Sequence, residues 1–186
     1  MIRHLLREGT TDELSNSAQF LVSVLVCYPE VATVKFRPRS RSLTLSFTMT
    51  KALTEQEASL LTEHLEEVLA VYWELFQSEV PIEVCRFSHE VWDELTLLEV
   101  ERDVDSLTQG ELAVLVGVMR EAFLEELMVD SPFLDEDERI LQEEVMEEIL
   151  AEVRLDRSGR EVFGFREEGR VIISNESRRR SFLRFR

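Results

Sequence analysis

The run Leu112-Ala113-Val114-Leu115-Val116-Gly117-Val118-Met119 is the longest uninterrupted apolar stretch in the chain, and charged sequence flanks it on both sides. Thr108 followed three residues later by Glu111 is a capping-box pattern, so the run reads as the middle of a helix from about Thr108 to Val129. A helix that is apolar all round needs cover on every side, whereas an amphipathic one needs it on a single face. The rest of the chain is therefore expected to wrap this segment. Gly117 costs the helix about 1 kcal/mol relative to alanine, so a close neighbour is expected there as compensation.

Other periodicities place the remaining elements. A helix capped by Asp12 or Ser15 runs toward Pro29, although Val22, Val24 and Val26 also alternate as a strand would. Residues 33–37 and 43–48 alternate apolar with polar on either side of Pro38-Arg39-Ser40-Arg41, which is a β-hairpin pattern. Thr54 and Glu57 form a second capping box, opening a helix with Leu61, Leu65, Leu69 and Phe76 at helical spacing. Pro81 to Phe87 reads as a strand, Ser88 to Glu94 as a break, and Leu95 to Glu101 as a strand or a short helix. After the central helix, Pro132 separates a further helix over 135–153, and so short a connection predicts antiparallel packing of the two. Turn chemistry at Asp156-Arg157-Ser158-Gly159 then leads to a hairpin over 161–166 and 170–174.

The order predicts an α+β fold with a mostly antiparallel sheet, because strands and helices mix without strict βαβ alternation. Its parts are an αββαβ-like unit over 1–105, a central helical hairpin over 106–153 and a C-terminal β-hairpin over 154–175. These form a single expected domain, followed by a basic tail over 176–186.

Charge narrows the function. A formal net charge of -17 repels polyanions and argues against general affinity for nucleic acid or anionic membrane. No apolar run approaches the roughly 20 residues of a membrane span, and the N-terminus lacks the apolar length of a signal peptide, so the expected location is the cytoplasm. Cys27 and Cys85 read as reduced, small hydrophobic residues rather than as a disulfide.

Catalytic and cofactor patterns are missing. The glycines never fall into a phosphate-cradling loop, and His4, His64 and His89 are scattered with no metal-binding spacing. Asp130, Asp135, Glu136, Asp137 and Glu138 suit a helix start better than a calcium loop, while Glu143, Glu144, Glu147 and Glu148 read as a wet helix face. Ser88-His89-Glu90 has the residue types of a nucleophile and base, but neighbours in sequence rarely hold that geometry.

Two basic islands stand against the acidic composition. Lys35 and Arg37 share a strand face and the turn adds Arg39 and Arg41. Arg178, Arg179, Arg180, Arg184 and Arg186 form the tail, with Phe182 and Phe185 among them. The leading expectation is a non-enzymatic interaction protein, without cofactor or metal, offering an acidic helical surface and the arginine tail to a protein partner or to a second copy as a homodimer. Binding of RNA or the ribosome through both islands is the second expectation.

Overall fold

A computed structural model describes residues 15–76, 80–131, 134–155, 160–167 and 169–175. The elements are α1 (Asn16–Cys27), β1 (Thr33–Arg37), β2 (Ser42–Met49), α2 (Glu55–Phe76), β3 (Cys85–Trp92), β4 (Leu95–Asp103), α3 (Gln109–Ala122), α4 (Glu136–Leu155), β5 (Val162–Glu167) and β6 (Arg170–Asn175). All six strands join one antiparallel sheet in the order β3-β4-β2-β1-β5-β6, so the fold is α+β as the sequence implies. The C-terminal hairpin adds to the sheet along the outer side of β1.

The helix that the molecule wraps is α1 rather than the apolar run in α3. From Ser17 to Cys27 every residue except Gln19 is buried, and Phe20, Leu21, Val24 and Leu25 are fully enclosed. Such a helix is apolar on both parities, which explains why its valines also mimic strand alternation. Its Leu25 methyl lies 3.0 Å from where a Cβ on Gly164 of β5 would sit, while Gln142 of α4 donates to the Ser23 hydroxyl at 3.0 Å. Helix α1 thus lies between the sheet and α4. Consecutive helices α3 and α4 do touch, with the Gln109 amide donating to the Glu147 carboxylate at 2.8 Å, but the main packing partner of α4 is α1.

Helix α3 departs from the sequence reading in three ways. Gly117 is exposed, and nothing lies within 4 Å of where its Cβ would be, so no close neighbour compensates for it. Thr108 does cap the helix, its hydroxyl accepting from the Glu111 amide at 3.1 Å, but the Glu111 carboxylate turns inward to Arg102 instead of back to the cap. The helix also ends at Ala122, not Val129. Strand β1 is shorter than β2, leaving the end of β2 without a partner on that side, and residues 126–128 fill the gap. The Thr50 amide donates to the Glu126 carbonyl at 2.7 Å and the Met128 amide to the Thr48 carbonyl at 2.8 Å.

The other local signals hold. Ser15 caps α1, and the Thr54–Glu57 box closes reciprocally at 2.9 and 3.2 Å. Strand β3 is displaced from the expected span of 81–87: Pro81 to Val84 lie outside it, and Ser88 to Trp92, expected as a break, continue it up to a tight turn in which Asp93 takes φ 51. Its polar residues are those of an edge strand with one wet face.

Residues opposite one another in these registers share a face. One face carries Phe87, Leu98, Val100, Leu45, Phe47, Val34 and Val162, and α1, α2 and α3 cover it. The other face carries Lys35, Arg37, Thr44, Glu99 and Glu101, and in its middle Lys35, Thr44 and Ser46 are buried as well.

Candidate functional site

On this second sheet face, Lys35 and Arg37 of the first hairpin meet carboxylates from distant parts of the chain. Lys35 pairs with Glu161, and the Arg37 guanidinium lies 3.6 Å from Glu161 and 3.4 Å from Glu101 while donating to the Thr44 hydroxyl at 3.0 Å. Arg41 forks onto Asp105 at 2.6 and 2.5 Å and also donates to the Arg154 carbonyl at 2.8 Å, tying the hairpin turn to the end of α4. Arg41 itself has φ 50, a left-handed conformation held by these bonds. Arg39 is exposed at the turn. The structure therefore places Lys35 and Arg37 together against Glu161 and places Arg41 apart from them against Asp105, so these three cations are members of ion pairs. Arg178, Arg179, Arg180, Arg184 and Arg186 lie outside the described residues.

Across the core a second ionic cluster is fully enclosed. Arg102, Asp103, Ser106 and Glu111 are each less than 5% exposed. The Arg102 guanidinium donates to Glu111 at 2.5 and 3.1 Å, to Asp103 at 2.5 Å and to the Ser106 hydroxyl at 3.1 Å, and it lies 5.3 Å from the Trp73 ring centre. Glu111 accepts a further bond from the Trp73 indole at 2.9 Å, and Asp103 accepts from the Ser106, Glu83 and Val84 amides. Burial alone would lower the pKa of Arg102, but the bond and charge of Glu111, and then Asp103, outweigh it and hold the guanidinium charged. Burial would likewise raise Asp103, yet its bonds to Ser106 and Val84 and the Arg102 charge pull it below the usual carboxylate range. Every donor and acceptor here is spent on the protein, so the cluster locks β4, α2 and α3 together and leaves nothing to address a ligand. The sequence does carry a sign of it: Arg102 continues the inward row of Thr96, Leu98 and Val100 at period two.

A cleft of about 310 Å³ under the start of α4 is lined by Cys27, Leu134, Arg120, Arg139, Asp135 and Glu136, among others. Its cations are already engaged, Arg120 with buried Glu30 and Arg139 with Glu143 at 2.5 Å. Burial pushes the Cys27 thiol up to about 12, which removes it as a nucleophile near neutral pH. Asp135 and Glu138 are occupied as a capping box, each accepting the other's backbone amide at 2.9 and 3.2 Å. Among the described residues no group of three or more His, Cys, Asp or Glu side chains is placed to hold a metal. Ser88 and His89 point to opposite faces of β3 and cannot act as a nucleophile–base pair. Among the described residues no helix is long and apolar enough to cross a membrane.

What remains is surface, and the outward face of α4 is the most distinctive part of it. Leu141, Val145 and Leu155 are 63%, 43% and 77% exposed, and helical spacing interleaves them with exposed Glu144, Glu148 and Glu152. The opposite face of the helix buries Met146, Leu150 and Val153. Helix α4 is therefore apolar on two sides, of which the fold uses one. Comparison with protein-family models, with curated proteins and with solved structures finds no match.

Proposed function

We propose that the protein is a non-enzymatic interaction protein, acting in the cytoplasm, whose outward α4 face receives a basic, apolar segment of a protein partner. The single observation that carries this reading is the exposure of Leu141 and Val145 within a row of exposed carboxylates at Glu144, Glu148 and Glu152. Apolar side chains supply the attraction and the carboxylates select a cationic partner. The arginine-rich segment after Asn175 is the second half of the proposal, a ligand for acidic partners or for a second copy of the chain. RNA binding through the first hairpin loses support from geometry, because Lys35, Arg37 and Arg41 already meet carboxylates.

A photo-crosslinking residue at position 145 tests the reading in cells. Discrete protein adducts that persist after nuclease and vanish with Glu144→Arg and Glu148→Arg are expected. Adducts that nuclease removes, or that survive both charge reversals, count against it.

A further inference from the structure

The sheet has two outer strands, β3 and β6, and β3 is the longer, at 8 residues against 6. Among the described residues no strand pairs with the outer side of β3. Edge strands are normally blunted by a proline, a bulge or an inward-pointing charge. Strand β3 has neither a proline nor a bulge: its register with β4 runs unbroken from Cys85 opposite Arg102 to Trp92 opposite Leu95, and its inward His89 lies 3.7 Å from Glu55 of α2. Its two formal charges, Arg86 and Glu90, are exposed and project from the face that carries Lys35 and Arg37, where Arg86 lies 3.7 Å from Glu101.

Their spacing makes the strand complementary to itself. A two-fold contact uses the same patch on both copies, so whatever lies on one side of the axis must suit its counterpart on the other. Antiparallel pairing centred on Ser88 puts Arg86 of each copy directly opposite Glu90 of the other, twice by symmetry. On the helix-bearing face it puts Phe87 opposite His89 and Cys85 opposite Val91, of which Val91 is 41% exposed in the single chain. Shifting the centre by one residue along the strand, to Phe87 or His89, loses both charge pairs.

We propose that the chain forms a homodimer by antiparallel pairing of β3 with β3 of a second copy about Ser88, continuing one sheet across both copies. This deepens the homodimer part of the reading above by naming its surface. Sedimentation equilibrium of the full chain between about 1 and 100 µM is expected to show a dimer. Arg86→Glu or Glu90→Arg alone sets like charges opposite each other at two places and weakens the dimer by about tenfold or more. The two changes combined restore complementarity and most of the affinity. Circular dichroism unchanged from the parent chain shows that each variant is folded. A monomer throughout the concentration range overturns the proposal, as does a dimer indifferent to the single charge reversals or one that the double reversal fails to rescue. Mass reports nothing about the α4 face, so failure here is distinguishable from failure of the docking reading.

Discussion

Replacing Arg102 by methionine removes the one cation of a cluster that contains two enclosed carboxylates, Asp103 and Glu111. Asp103 keeps its bonds from Ser106, Glu83 and Val84, whereas Glu111 keeps only the Trp73 indole. Breaking a buried pair from one side costs about 3–5 kcal/mol, a large share of the roughly 5–15 kcal/mol that holds a domain together. For a chain of this length, that corresponds to a fall in melting temperature of about 6–20 °C. Removing Glu111 as well, as Arg102→Met with Glu111→Leu, takes away the stranded charge and recovers most of the loss. The pH dependence reverses sign. In the parent chain Asp103 is held below its unfolded value, so its contribution is present above that value and is lost as the pH falls through the folded one. In the variant, an uncompensated buried carboxylate favours its protonated form, so stability is lost as the pH rises above about 4. Urea unfolding at pH 7 and pH 5 reads both effects: the deficit of Arg102→Met is expected to shrink at pH 5. A deficit below about 1 kcal/mol at pH 7, or one that grows on acidification, would refute the electrostatic account.

Four further outcomes follow from the geometry. Gly117→Ala meets open space on an exposed helix surface and should stabilise the fold by about 0.5–1 kcal/mol in urea titrations; a destabilised variant would show that the helix is constrained there. Thr108→Ala removes both the α3 cap and the 2.7 Å bond to the Tyr72 hydroxyl, and a loss of about 1–2 kcal/mol by the same assay is expected. The Lys51 hydrogen bond, helped by the Thr54 amide and hydroxyl, draws the Glu57 carboxyl down to about 2; an NMR titration should find it there, and Lys51→Ala should move it upward. Burial lifts the thiols of Cys27 and half-buried Cys85 to about 12 and about 11, so alkylation at pH 8 should be far slower in the folded than in the urea-unfolded chain, and equal rates would contradict the enclosure of Cys27.

Elements specified by nearby residues were legible before any coordinates. The Thr54–Glu57 box, the Ser15 cap and the alternation of β1 and β2 each depend on residues a few positions apart, and each forms as read. Boundaries fixed by distant partners were not. The end of α3 depends on an unfilled edge of β2, and the length of β3 depends on β4, neither of which the local pattern encodes. The enclosed helix proved to be α1 because an apolar run reports the need for cover but not which segment supplies it. At the basic hairpin, the shared face of Lys35 and Arg37 is a local fact. Their carboxylate partners Glu161 and Glu101 come from residues far along the chain, and only the topology reveals them.

The pairing of β1 with β5 joins residues roughly 130 positions apart, and it sets the order in which the chain can assemble during synthesis. Strands β1 to β4 can meet as soon as they emerge. Helix α1, the first element in the core, gains its outer cover only from α4 and its last sheet neighbours only from β5 and β6. A nascent chain stalled before residue 136 would therefore expose the most apolar helix of the molecule. Contacts of such long sequence separation form late and slowly, so the interval between synthesis of α1 and arrival of α4 is when the chain most needs shielding from aggregation.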